Sequence, residues 1–351
     1  MSKNKAKIFG VTVLTSTVLL SGCGLFGGET QKKIDPPKSV AVVDKKASKE
    51  TTENDKGKVE NVVKTELYLI DKDGYVVPQT LNLPKTTSVA TQALENLVVN
   101  GPVTNKLPND FRAVLPEDTT LSVDIDKNSG VATVNFSKEF KDYKPEDEMK
   151  ILQSVTWTLT QFDNVKSVKL KMNGHELTEM PVNGTPISQN LSRATGINID
   201  TTDVVDITNT KPVTVYYIGG EEGSYYYVPV TRRVSNNEKD NYSAVVNELI
   251  KGPSAKSTLV SEFVSDVKLL EAPKYQDGTV TLNFNKGIYD SFDKKEISQS
   301  LLDTLVLSLT EQQGVKKVAV QVDGKAEIKN DKGKKLTEPV TRPEKVNTGS
   351  F

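Results

Sequence analysis

Gly130-Val131-Ala132-Thr133-Val134-Asn135-Phe136 is followed 148 residues later by Gly278-Thr279-Val280-Thr281-Leu282-Asn283-Phe284, and this recurrence decides the fold. Both stretches leave a glycine turn and alternate apolar with polar residues, the pattern of a strand with one buried face. Working outward, Leu67-Tyr68-Leu69-Ile70 with Val76-Val77-Pro78 returns as Val215-Tyr216-Tyr217-Ile218 with Val228-Pro229-Val230. Ala93, Asn96, Val98, Val99, Gly101 and Pro102 return as Ala244, Asn247, Leu249, Ile250, Gly252 and Pro253, an offset of 151. Trp157-Thr158-Leu159-Thr160 with Val165 and Val168 returns as Leu307-Ser308-Leu309-Thr310 with Val315 and Val318, an offset of 150 that Asn173-Gly174 and Asp323-Gly324 keep. Four blocks in one order, within three residues of one offset, identify a duplicated domain; the period is too long for a solenoid unit.

Each repeat reads as strand, helix, strand, strand, helix, strand. The first strand covers 66–70 or 213–218, rich in aromatic and β-branched residues. The first helix starts near Ser88 and stops at Gly101-Pro102; its counterpart runs over about 242–251 and stops at Gly252-Pro253. A hairpin follows, 121–125 with 131–136 around Asn128-Ser129-Gly130, and 267–270 with 279–284 in the second repeat. The second helix begins near Pro145, with Glu146, Asp147 and Glu148 at the positive end of its dipole and Leu152, Val155, Leu159 and Phe162 on one face. Its counterpart presents Ile297, Leu301, Leu305 and Leu309, with Asp293 and Glu296 as a candidate capping pair. A last strand, 165–172 or 315–322, ends in a glycine turn. This order predicts an α+β chain of two tandem two-layer sandwich domains, helices covering one sheet face.

The amino end carries a different message. Lys3, Lys5 and Lys7 precede an apolar stretch over 8–20, and Leu20-Ser21-Gly22 leads into Cys23, the only cysteine. That order is a secretory leader whose small residues precede a lipidation cysteine, and the apolar run is short of the roughly 20 residues a spanning helix needs. We expect cleavage before Cys23, a diacylglyceryl group on its sulfur, and durable anchoring by two acyl chains, the alternatives being an ordinary secretory peptide cleaved elsewhere or a signal anchor. Gly22-Cys23-Gly24-Leu25-Phe26-Gly27 also spells a dinucleotide-binding fingerprint, but no strand precedes it and no helix follows, so the match is accidental. From Gly24 to about Lys64 the chain is polar, contains Pro36-Pro37 and shows no sustained period; as a flexible tether it would reach about 35 Å.

Charge and residue inventory narrow the chemistry. Forty-five Lys plus Arg against 46 Asp plus Glu leave a net charge of −1, with no global field for nucleic acid. With one cysteine there is no intramolecular disulfide, so apolar cores must hold the domains. His175 is the sole histidine, sits in the turn after Asn173-Gly174 and has Lys325 as its counterpart, which argues against a base or ligand role. Neither a Cys cluster nor a His pair exists for a metal, and no nucleophile elbow or phosphate loop is present; no cofactor is expected. A carboxylate pair could still act on glycans. Glu139, Glu146 and Glu148 are better read as solvated or helix-start residues. Tyr216, Tyr217, Tyr225, Tyr226 and Tyr227 could form a partner or sugar-stacking surface, but alternate tyrosines on paired strands face the core. The polar end after Lys329, with Lys332, Lys334 and Lys335, reads as a solvated tail.

The Cys23 signal, the repeated Gly-Pro after the first helix, the Val-Asn-Phe and Leu-Asn-Phe strands, and Leu159-Thr160-Gln161-Phe162-Asp163-Asn164-Val165-Lys166-Ser167-Val168 together resemble the sporulation and spore-germination lipoproteins of endospore-forming bacteria that carry two GerMN domains. The likeness runs from Lys64 to about Pro339, plus the anchor. It implies a fold similar to the ring-building motif of secretion-system rings, and a non-enzymatic role in the channel apparatus between mother cell and forespore. The implied partners are membrane lipid through acylated Cys23, membrane proteins of that apparatus and further copies in a homo-oligomeric ring. The implied location is the outer face of the mother cell membrane. No catalytic motif is carried over. The resulting domain plan is a leader at 1–22, a tether at 23–63, a first domain at 64–188, a linker at 189–210, a second domain at 211–340 and a tail at 341–351. A peptidoglycan-acting hydrolase and a solute-binding lipoprotein are the alternatives; the small duplicated units argue against the two large lobes of the latter.

Overall fold

The computed structural model describes residues 62–348 except 203, 205, 239 and 291–294, so Cys23, the leader, the tether before residue 62, and Asp293 lie outside the described residues. In chain order the first repeat contains β1 (Val62–Asp71), β2 (Val76–Pro84), α1 (Val89–Glu95), β3 (Phe111–Arg112), β4 (Leu121–Asp126), β5 (Val131–Phe136), α2 (Glu148–Leu159), β6 (Ser167–Met172) and β7 (His175–Glu176). The second contains β8 (Thr210–Gly219), β9 (Tyr226–Ser235), α3 (Asn241–Lys251), β10 (Lys274–Gln276), β11 (Thr279–Phe284), β12 (Glu296–Ile297), α4 (Gln299–Thr310), β13 (Lys317–Val322), β14 (Lys329–Asn330) and β15 (Val340–Thr341).

The sheets follow from the alternation. In repeat 1 the order is β4-β5-β6-β7, with β4 antiparallel and β6 parallel to β5, the parallel pair being joined through α2. Val123, Ile125, Ala132, Val134, Phe136, Val168 and Leu170 are buried, while Ser122, Asp124 and Asp126 on the other face of β4 are exposed. In repeat 2 the order is β10-β11-β13-β15, again with the helix-linked pair β11 and β13 parallel. The expected strand over 267–270 is reduced to one bridge, Leu269 with Phe284. Pro273, which offers no N–H, interrupts it, and pairing resumes in β10, joined to β11 by Asp277-Gly278 at φ 49 and 80, a favoured two-residue turn.

Each repeat adds a long hairpin, β1 with β2 and β8 with β9. This explains why α2 is buried from Ile151 through Leu159 rather than on one stripe: Tyr68 N–H donates to Thr158 Oγ1 at 3.2 Å, so the hairpin covers the face that the four-stranded sheet leaves open. The second repeat copies the bond, Tyr216 N–H to Ser308 Oγ at 2.8 Å. The recurring strand asparagines have a shared task as well, since Asn135 Oδ1 and Asn283 Oδ1 accept from Gly174 N–H and Gly324 N–H and fix the turn after the last strand.

Helix ends depart from the sequence reading. α1 stops at Glu95, because Val98 leaves the helix to bridge Leu115. Gly101 therefore caps nothing; it is required by crowding, since a Cβ there would lie 2.7 and 2.8 Å from the carbonyl oxygens of Val98 and Glu95. Gly252, in contrast, has φ 77 and ends α3 as expected. At α4, Glu296 lies in β12, and Ser298 supplies the cap by accepting from Leu301 N–H at 3.4 Å. The polar end is no solvated tail: β14 pairs with β12, β15 joins the sheet beside β13, and Val346 and Asn347 are buried.

Candidate functional site, the seam between the repeats

Buried polar groups gather where β2 and β9, each with a free edge, come together. These edges cannot complete a ladder, because Pro78 and Pro229 occupy equivalent positions and have no N–H to give. Two asparagines bridge the gap instead. Asn198 Oδ1 accepts from Val76 N–H, while its Nδ2 donates to Val76 O and Pro229 O, all at 2.8 Å. Asn347 Oδ1 accepts from Tyr227 N–H, while its Nδ2 donates to Tyr227 O and Pro78 O, also at 2.8 Å. Both asparagines take the left-handed conformation, φ 45 and 54, which this residue type tolerates.

The segments carrying these asparagines act as straps. Thr231 N–H donates to Ile197 O at 2.8 Å, and Thr80 N–H donates to Val346 O at 3.1 Å, so each strap lies along the hairpin of the opposite repeat. Their side chains point home: Ile197 packs with Tyr68, Val76 and Trp157, and Val346 with Tyr216 and Leu307. Under the repeat offset, Asn198, Val76 and Pro229 map onto Asn347, Tyr227 and Pro78. Residue i meets j while j meets i, which is the signature of an isologous, twofold contact.

A charged cluster closes one side of the seam. Arg193 Nη1 lies 2.7 Å from Glu311 Oε2 and Arg342 Nη1 lies 3.0 Å from Glu311 Oε1, so one carboxylate joins straps of both repeats. Tyr216 Oη donates to Glu311 at 2.8 Å, and the Arg193 guanidinium stacks 4.4 Å from the Trp157 ring centre. Burial pushes the Glu311 carboxyl up, but the two guanidiniums and the donors on it prevail and hold it down to about 2. Across the seam Tyr226 Oη donates to the buried Asp71 carboxylate at 2.9 Å and its ring meets Phe111 edge-on. Arg232, itself buried, is held by Asp200 and by Glu248 at 3.0 Å.

The residues singled out in the sequence fall into place around this frame. Of the five tyrosines, Tyr216, Tyr217 and Tyr226 are buried, Tyr227 is half-buried against Asp303, and only Tyr225 is exposed. Glu148 is buried and saturated, accepting from Tyr143 Oη and from the N–H groups of Asn183 and Thr185; these donors outweigh burial and hold it down to about 2. Glu139 is half-buried, Glu146 is exposed and His175 is exposed in β7, and among the described residues no hydrogen bond or ion pair joins these groups and Glu148 to one another. A cleft of about 490 Å³ beside the seam holds the carboxylates Glu146 and Asp200, the latter already engaged by Arg232. Among the described residues no group of three His, Cys, Asp or Glu is placed to hold a metal, and no helix is long and apolar enough to cross a membrane. The sequence reading missed the straps, although Arg193-Ala-Thr-Gly-Ile197-Asn198 and Arg342-Pro-Glu-Lys-Val346-Asn347 share a pattern at an offset of 149, in line with the other blocks.

The family model Germane, described as sporulation and spore germination, matches twice, over residues 66–178 and 214–327. The chain is 55% identical over 367 aligned positions, covering all of both chains, to the spore germination protein GerM of Bacillus subtilis (strain 168). A solved structure of the tandem GerMN domains of the sporulation protein GerM from Bacillus subtilis superposes with a TM-score of 0.78 at 59% identity, covering 82% of this chain and 100% of that one. The first GerMN domain of that protein, solved separately, is 68% identical over 37% of this chain and 98% of its own, with a TM-score of 0.37.

Proposed function

The chain belongs to the Germane family of sporulation and spore-germination proteins and carries tandem GerMN domains, and from that premise we propose that it is a non-enzymatic assembly protein, lipid-anchored through Cys23 at the outer face of the cell membrane. Its place is the mother cell side of the channel apparatus between mother cell and forespore, where it forms or supports a ring. The observation that carries this reading is the use made of its polar groups. Glu311, Arg193, Arg342, Asp71 and Glu148 are each committed to the other repeat or to nearby loops, so the chain works through surfaces.

The seam also constrains how copies can associate. A closed ring needs a head-to-tail contact, whereas the seam is isologous and already satisfied within one chain. The two repeats are therefore one building block rather than two successive ring members, and contacts between chains lie on outward faces. The six-residue β4 has a free edge on repeat 1 and is one such surface. The test is light scattering on the mature chain, alone and with membrane proteins of the sporulation channel, beside localisation of a Cys23→Ala variant in sporulating cells. Higher-order species or partner complexes, with loss of membrane retention in the variant, are expected. A chain that stays monomeric and captures none of those proteins would remove the assembly role; a variant that localises normally would remove the anchor.

A further inference from the structure

Duplication supplies an internal control for surface chemistry. In repeat 1 a hairpin over 178–187 is closed by the Glu179–Pro186 bridge, by Met180 N–H to Thr185 O at 2.8 Å, and by Gly184 at φ 69. In repeat 2 the corresponding hairpin is closed by the Lys329–Lys335 bridge, by Asn330 N–H to Lys334 O at 2.9 Å, and by Gly333 at φ 75. The closing bond and the turn glycine recur, although the second hairpin is one residue shorter and its β14 also pairs with β12, so the shared turn does not dictate the exposed side chains.

Those side chains have diverged sharply. The hairpin of repeat 1 contains no lysine; that of repeat 2 exposes Lys329, Lys332, Lys334 and Lys335, and Lys295 beside it is exposed too. Among the described residues none of the five is in an ion pair, and the acidic groups of the two paired segments are Asp331 and Glu296. Asp303 of α4 feels the charge of Lys332 and offsets part of it, and the five lysines still outnumber these three acids, leaving a positive excess on the exposed face. The presentation is stiff, because Asn330 Nδ2 donates to Gln299 Oε1 and Leu336 N–H to Ile328 O.

We propose that this hairpin docks on an anionic lipid surface and sets how the folded body lies against the membrane, a proposal resting on the reading that the chain works there. Lysines are flexible point charges, and the cluster holds no arginine or aromatic anchor of the kind that marks protein interfaces. A fluid array of lipid phosphates needs no fixed geometry and gains about fivefold in binding per lysine near its surface.

Cosedimentation with vesicles tests this, using the chain from Gly24 onward, which lacks both leader and Cys23. Binding to phosphatidylcholine vesicles containing phosphatidylglycerol, absent with phosphatidylcholine alone and weakening as salt shortens the screening length, is expected. Reversing three charges, K332E/K334E/K335E, should cut it about a hundredfold or more, with an unchanged melting temperature. The same reversal at exposed Lys85, Lys106 and Lys141 should leave most of it. No vesicle binding, equal binding to both vesicles, a parent-like triple variant, or binding only to soluble polyglutamate would each overturn the proposal. Because no acyl group is present, such a failure leaves anchoring through Cys23 standing.

Discussion

Replacing Glu311 by Gln keeps the shape of the seam's central acceptor and removes its charge, leaving Arg193 and Arg342 facing a neutral amide. The carboxyl ordinarily titrates at 4.5 and is held down to about 2 in the fold. At about 1.36 kcal/mol per pH unit, that difference is worth about 3.4 kcal/mol in favour of the ionised form. Glu311 is 7% exposed but the arginines are 29% and 26%, so water reaches part of the cluster and a loss of about 3 kcal/mol at pH 7 is expected, near the low end for breaking a buried pair. The sign follows from a depressed carboxyl: its stabilisation is complete above pH 4.5 and fades as pH falls through about 2. The deficit of E311Q should therefore shrink below pH 4.5 and nearly vanish by pH 2. Urea titration followed by Trp157 fluorescence measures this directly, since the chain has one tryptophan and it lies under Arg193. A deficit under about 1 kcal/mol at pH 7, or one constant from neutral pH to pH 2, would refute the electrostatic account of the seam.

The two strap asparagines should behave as a matched pair. Asn198→Ala and Asn347→Ala each leave three backbone groups unpaired and force alanine into a left-handed conformation, so each should cost about 3 kcal/mol by denaturant titration; a marked inequality would break the twofold reading. The glycines of the two Gly-Pro pairs should not match. Gly101→Ala drives Cβ into two backbone oxygens, whereas Gly252→Ala meets no close atom and only the strain of φ 77 and ψ 176, about 1–3 kcal/mol, so thermal melts should rank Gly101→Ala as the more damaging.

What could be read in the sequence was whatever one element decides alone. Period-two alternation around a glycine turn located β5 and β11, and comparing the repeats located their partners, because a strand's buried face is written into its own residues. Extents that depend on a neighbour were not readable: α1 is cut short by a bridge to Leu115, and α2 is buried all round because a hairpin covers it. The straps are the extreme case. Arg193, Asn198, Arg342 and Asn347 stand in polar segments without periodicity, and their worth comes from partners more than 30 residues away on both repeats. A polar stretch between domains and a polar stretch at a chain end read as linker and tail when each is taken alone. Set side by side under the repeat offset, they become the same element twice, since independent drift would not keep an arginine and an asparagine five residues apart in both. The same comparison run in reverse singles out the lysine-bearing hairpin: its turn recurs in both copies and serves the fold, whereas its exposed lysines belong to one copy and, among the described residues, enter no ion pair.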